Sequence, residues 1–183
     1  FSYEAWFGAL RAGRSFATNG PLLLLDIDGD IPGALLRYAA GDPQTLAGSV
    51  TASTASSLAY VELVRDGRVV QRVDVEDGAA RTTLTFAETF DRSGWIAARC
   101  FERIEGNVRY AQTSPIYVYM GTDQIASAKD AQYFLDIVEG QIAQAVESLK
   151  DTAHRGEVLT CLEGARDYYR MIGELAAERD PSN

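Results

Sequence analysis

A single histidine, His154, and two cysteines, Cys100 and Cys161, are the only imidazole and thiol ligands among the 183 residues. One histidine cannot build a multi-histidine metal centre. The cysteines stand too far apart, in segments of different type, for a zinc knuckle or a Cys-x-x-Cys redox pair. Both are expected as buried free thiols. A nucleophilic triad needs a base, but His154 falls in a polar break near the end of the chain, far from any Gly-x-Ser-x-Gly turn, and reads as a solvated loop or helix-start residue. Lysine is also scarce, with only Lys129 and Lys150. No apolar run approaches the roughly 20 residues that cross a bilayer, so no membrane association is expected.

Acidity is what the chain has in excess. The formal charge is −9, and residues 120–183 carry twelve acidic side chains against six basic ones. Such a balance repels phosphate backbones, so nucleic acid is not an expected partner. An acidic, solvated helical face accounts for it. The chain opens Phe-Ser-Tyr-Glu-Ala-Trp, without an initiator methionine or a signal peptide, and so reads as a piece of a longer protein.

Hydrophobic periodicity divides the sequence into three parts. Ala5, Trp6, Ala9 and Leu10 recur at helical spacing from Tyr3 to Ala12, with Gly13 at the position of a helix-ending glycine. Trp6 is expected to anchor this helix. The turn-rich Thr18-Asn19-Gly20-Pro21 leads into an apolar strand, Leu22 to Ile27. Further strand-like runs lie at Leu46 to Thr54, Tyr60 to Val64, Val69 to Val75, Thr82 to Phe86, Trp95 to Phe101 and Tyr110 to Tyr119. Asp66-Gly67 joins two of them, and an aspartate-glycine pair between β-branched runs is a strong hairpin signal because a type I′ turn needs positive φ twice. About seven short strands without intervening helices predict an antiparallel, immunoglobulin-like β-sandwich, with Trp95 in its core.

From Ser127 the period changes to helical. Ser127 and Asp130 resemble a capping box, and Ala131, Phe134, Leu135, Val138, Ile142, Ala145, Val146 and Leu149 hold one face. After a break at Lys150 to Gly156, the positions Val158, Leu162, Ala165, Tyr169, Ile172 and Ala176 hold another. The two predict an antiparallel helical hairpin packed on the sandwich, with Tyr133, Tyr168 and Tyr169 as packing residues and a frayed tail from Arg179 to Asn183. The predicted class is therefore α+β. Residues 1–21 form a helix and linker, 22–120 a β-sandwich and 121–183 a helical hairpin.

Two motifs invite chemistry. Asp26-Ile27-Asp28-Gly29-Asp30 ends an apolar strand, as the nucleophile motif of dehalogenase-like phosphatases does, where the first aspartate attacks phosphorus and the second is acid and base. Asp30 stands where a threonine or valine is wanted, and the segments after it are β-rich. The same carboxylates do not make a calcium loop, since its glycine and glutamate positions hold Ile31 and Arg37.

The segment Trp6-Phe7-Gly8-Ala9-Leu10-Arg11-Ala12-Gly13-Arg14-Ser15-Phe16-Ala17-Thr18-Asn19-Gly20-Pro21-Leu22-Leu23 is more informative. It resembles the linker that comes after the catalytic barrel in bacterial metallohydrolases of the CehA/McbA type, within the PHP (polymerase and histidinol phosphatase) superfamily. Val69-Val70 after Asp66-Gly67, the run Thr113 to Val118, and the helical segments Asp130 to Leu135 and Ala165 to Tyr169 resemble the same family. The resemblance implies a non-catalytic C-terminal accessory domain that covers or rigidifies an upstream barrel. Zinc, manganese or iron would belong to that barrel, with no cofactor and no catalytic residue in this chain. Trp6, Arg14, Thr18 and Asn19 would lie at the junction with the barrel. The intramolecular barrel would be the partner, with a homo-oligomer also compatible. A bacterial source is implied, in a cytoplasmic or exported location.

Two other readings stand beside it. One is a carbohydrate- or protein-binding sandwich using Tyr60, Tyr110, Tyr117 and Tyr119, of which the last two share a strand face. The other is the phosphatase at Asp26 and Asp28.

Overall fold

The computed structural model describes residues 1–123, 125–150 and 152–179. The chain is α+β, with ten strands in two sheets, one helix at the start and two at the end. It divides into two compact units, Phe1–Ile125 and Ala126–Asn183.

The first unit is an immunoglobulin-like β-sandwich. Its smaller sheet joins β2 (Leu22–Ile27), β4 (Gln44–Ser53) and β7 (Arg81–Phe90), all antiparallel. Its larger sheet holds β1 (Phe16–Thr18), β3 (Leu35–Tyr38), β5 (Leu58–Arg65), β6 (Arg68–Asp74), β8 (Gly94–Glu102), β9 (Tyr110–Thr113) and β10 (Ile116–Met120). Alternation places every second residue in the core. Leu23, Leu25, Val50, Leu84 and Phe90 of the smaller sheet meet Leu58, Val61, Leu63, Ile96, Cys100, Ile116 and Val118 of the larger. Each such side chain contributes about 1.5–3 kcal/mol on burial. At the β5–β6 hairpin, Asp66 and Gly67 have φ of 48° and 79°, the two positive angles that the Asp-Gly pair implied.

Three strands depart from the sequence reading. The run from Tyr110 to Tyr119 splits at Ser114-Pro115, because proline has no N–H to donate to a neighbour. The partner on that side changes there, from antiparallel β1 on β9 to parallel β3 on β10. Both new strands are edge strands of three or four residues, too short for periodicity to stand out. Residues 16–18 thus belong to the sheet, and the sandwich begins before Leu22.

Both tryptophans also depart from expectation. Trp95 lies on the outer face of the larger sheet, paired with Tyr117, while its neighbour Ile96 fills the core. Trp6 is 50% exposed, and the first helix, α1 (Tyr3–Arg11), has no buried residue.

The second unit consists of α2 (Ala128–Ser148) and α3 (Thr152–Arg179). Ser127 caps α2 by accepting a hydrogen bond from Asp130 N at 3.2 Å. Apolar residues at 131, 135, 138, 142, 145 and 149, and at 158, 162, 165, 169, 172 and 176, keep to the alternating steps of four and three that form a seam between two helices. The helices are antiparallel, since Phe134 stacks on Tyr169 at 5.2 Å while Ala131 faces Gly173. Cys161 is exposed on α3, not buried as expected, because it lies one position off this seam. Most of the expected frayed tail, residues 180–183, lies outside the described residues.

Candidate functional site

The expected junction segment folds as an arm laid along the edge of the sandwich. At its start α1 is capped by Ser2, whose hydroxyl accepts from Ala5 N at 3.3 Å. Tyr3, Trp6, Phe7 and Leu10 recur at steps of three and four and are all exposed. They form one apolar stripe on a short helix.

The arm is fastened at two places. Near Pro115, where the strand edge changes partner, Gly13 passes over Gly33, whose N–H donates to Pro115 O at 2.9 Å. A Cβ on Gly33 would run into Ala12 O, and its φ of +90° also favours glycine. Beside it the Ser15 and Ser114 hydroxyls are 3.0 Å apart, and Ser114 N donates to Ser15 O. Strand β1 then pairs with β9.

The second fastening is Thr18-Asn19-Gly20-Pro21. Thr18 Oγ1 donates to Pro21 O at 2.6 Å and accepts from Gly20 N, closing the turn on itself. Asn19 reaches across to the β8–β9 loop, where Nδ2 donates to Val108 O at 2.9 Å and Oδ1 accepts from Tyr110 N at 2.8 Å. Gly20 lies over Glu102, so that a Cβ there would stand 3.0 Å from Oε1.

Glu102 does not stand out in the sequence, yet it lies beneath the junction turn. It sits at the end of β8 with its side chain 1% exposed. Thr54 Oγ1 donates to Oε1. Oε2 has no hydrogen-bond partner among the described residues, and Arg109 Nη1 faces it at 3.7 Å. Strand alternation would place residue 102 inward with Ile96, Ala98 and Cys100, so a charged residue ending an inward series was the available signal.

Of the four expected junction residues, Thr18 and Asn19 are thus consumed by the fold. Trp6 and Arg14 are exposed, and Arg14 makes no ion pair among the described residues.

The aromatic candidates lie together on the outer face of the larger sheet. Tyr60, Phe101 and Tyr110 are in register across β5, β8 and β9, and Tyr117 and Tyr119 share that face on β10. Tyr60, Phe101 and Tyr110 contact one another, and arginines lie over Tyr60 and Tyr119. Tyr60 is 4.7 Å from Phe101, which is 5.8 Å from Tyr110, while the Arg72 guanidinium lies 3.7 Å from the Tyr60 centroid and that of Arg37 4.6 Å from the Tyr119 centroid. Beside them Glu62, 5% exposed, pairs with Arg99 at 2.5 Å and with Arg72 at 3.4 Å.

Asp26 and Asp28 form a turn. Asp26 Oδ1 accepts from Gly29 N at 3.1 Å, Ile27 and Asp30 exchange backbone bonds, and Asp28 takes a φ of 51°. The strand pairs antiparallel with β4, unlike the parallel α/β sheet that carries a dehalogenase-like nucleophile. Burial of the Tyr38 phenol, together with nearby Asp28 and Asp30, raises its pKa. Among the described residues no three histidine, cysteine, aspartate or glutamate side chains are placed to hold a metal ion. Cys100, beneath the larger sheet, has its pKa raised to about 11, chiefly by burial.

No family model matches the chain, and no curated protein matches it. Among solved structures, it is similar to the CARDB domain of PF1109 from Pyrococcus furiosus. In solution that domain shares 16% identity over 55% of this chain and 96% of its own, with a TM-score of 0.33. In a crystal with di-metal ions it shares 17% over 57% and 98%, again at 0.33. A superoxide reductase (neelaredoxin) from Ignicoccus hospitalis shares 22% over 64% and 93%, also at 0.33. At such scores these likenesses carry no argument about function, and the chain itself is a β-sandwich module with helices at both ends.

Proposed function

We propose that this chain is a non-catalytic accessory module of a PHP-type metal-dependent hydrolase, and that α1 and Arg14 form its contact with the catalytic barrel. The observation that carries this reading is the arm. It is fastened by the Gly13–Gly33 crossing, the β1–β9 pairing and the Asn19 clamp. Yet the helix it holds out buries nothing of its own. A short helix gains little from propensity alone and is stabilised by packing its apolar face. Fixing such a face in place on a preformed sheet edge suits a surface that receives a neighbouring domain. The family resemblance of Trp6 to Leu23 supplies the identity of that neighbour, with its divalent metal confined to the barrel.

A glycan-stacking platform is less well supported. Sugars stack on open ring faces, and here Arg72 lies over Tyr60, which also contacts Phe101, while Arg37 lies over Tyr119.

Two measurements test the proposal. The coding sequence before Phe1 is expected to encode a histidine-rich α/β barrel ending in Asp-x-His, and any other upstream fold overturns the assignment. Elemental analysis of the purified chain is expected to find no stoichiometric zinc, manganese or iron. Metal retained through dialysis would show that the module has a centre of its own.

A further inference from the structure

The helical hairpin carries a surface that the accessory reading does not use. Its charged groups gather on one flank of the seam, where Arg170 approaches Glu139 at 4.0 Å and Gln132 bonds Asp136. The opposite flank, one position before the seam residues, holds Phe134 and Ile137 on α2, with Tyr133 one turn before Ile137, and Tyr168, Met171 and Leu175 on α3. Because the helices are antiparallel, these positions fall on the same side of the hairpin. Tyr133 is 62% exposed, Tyr168 54% and Met171 48%, with the other three exposed as well. The rings are continuous: Tyr133 meets Phe134, Phe134 stacks on Tyr169, and Tyr169 meets Tyr168.

We propose that this flank is a self-association face, on which the hairpins of two copies pack against each other as a four-helix arrangement about a two-fold axis. Aromatic side chains bury roughly 150–250 Å² when fully covered. Six half-exposed residues of about this size therefore offer on the order of 500–600 Å² of apolar area per chain. A standard interface buries about 800 Å² per partner, with an apolar centre of that order and a polar rim around it. Charge sets the condition that a second copy must meet, since like net charges repel. The chain carries −9, so association of two copies requires a contact free of carboxylates at its centre. This flank provides one, with Asp130, Glu157 and Glu178 only toward its ends and Asp167 at its outer margin, paired with Arg166 and Arg170. A basic partner would find no anion at the centre to recognise, whereas rings and a thioether match an identical set across an isologous interface.

Sedimentation equilibrium of the full chain from 1 to 200 µM is expected to show a reversible dimer. Tyr168→Glu and Met171→Glu, both at exposed positions, are expected to weaken dimerisation at least tenfold while the far-ultraviolet helix signal is retained. Cys161 lies on the same flank and provides an independent readout, because its alkylation by iodoacetamide should slow as protein concentration rises. A chain that stays monomeric at 200 µM, or a dimer that survives both substitutions, overturns the proposal. Should one variant lose its helical signal, the other and the Cys161 rate decide.

Discussion

The sandwich and the helices solve the burial problem in opposite ways. In the sandwich, Phe90, Leu58, Leu63, Ile96, Ile116 and Val118 reach zero exposure, because two sheets face each other and close the space between them. In the helices the buried residues are small, namely Ala131, Val138, Ala145 and Ala176, while Trp6, Phe7, Phe134, Tyr168 and Met171 lie exposed. A sheet pair is complete once its inner faces meet. A helix, or a pair of helices with apolar residues beyond one seam, has surface left over. The inner faces of the sandwich are therefore closed, with Leu22 and Leu24 left exposed on the outer face of its smaller sheet, while the helices leave whole apolar stripes uncovered.

The sharpest way to break this contrast is to injure both regions equally and compare. Phe90 is fully buried at the end of β7, with the Arg65 guanidinium 4.1 Å from its ring centroid. Phe90→Ala is expected to lower unfolding free energy by about 3–5 kcal/mol, the usual cost of such a cavity, in urea titrations monitored by tryptophan fluorescence. Gly33→Ala comes next. The new methyl group meets Ala12 O in a backbone region that alanine enters with strain, for a cost of about 2 kcal/mol. It also displaces the arm, so proteolytic cutting between α1 and β1 should rise while the smaller sheet stays protected. A loss confined to the arm would sharpen the comparison; global unfolding would show that the arm is part of the scaffold.

How far the sequence revealed this arrangement depends on the physical range of each signal. The hairpin at Asp66-Gly67 was legible because two residues alone determine it, and α2 and α3 because their period is sustained over many turns. β1 and β3 were not, since three or four residues cannot show alternation, and their pairing is decided by Pro115 on another strand. Trp95 was misplaced because residue size suggests a core position, while the parity of β8 decides it. Cys161 was misplaced for the same kind of reason, by a single step along the helix. Thr18 and Asn19 were visible as an unusual motif. That their side chains are spent on Pro21, Val108 and Tyr110 depends on contacts up to 91 residues away, which composition cannot show.

Burial of the two thiols separates the regions again. Cys100 is buried and its thiol pKa is raised from 9.0 to about 11, mainly by desolvation. Above pH 9 the unfolded chain loses this proton while the folded chain keeps it, so stability falls as pH rises from about 9 to about 11. The total is of the order of 2 kcal/mol. Cys100→Ala should remove this slope, as judged from thermal melts at pH 8 and pH 10.5. Cys161, exposed on α3, should react with a thiol reagent in the native state, whereas Cys100 should react only on unfolding.

Smaller still is the effect of Asn19→Ala, which removes two hydrogen bonds at an exposed clamp. About 1–2 kcal/mol is expected, with faster amide exchange at Tyr110 as the local readout.

The smallest effect is the most discriminating. Trp6 is the largest side chain on α1 and contacts Phe7, its ring centroid 4.9 Å away, on a helix with no buried residue. If the helix is a surface awaiting a partner, Trp6→Ser should change the unfolding free energy of the isolated chain by no more than about 0.5 kcal/mol, as for a surface substitution. If the proposed barrel covers the ring, the same change in a protein that includes that barrel should cost about 2 kcal/mol or more, because removal of the ring would leave a gap. Equal effects in the two settings would mean that α1 has no partner in the barrel. A large effect in the isolated chain would mean that the helix belongs to the scaffold after all, and the division between a closed sandwich and outward-facing helices would have to be redrawn at Gly13.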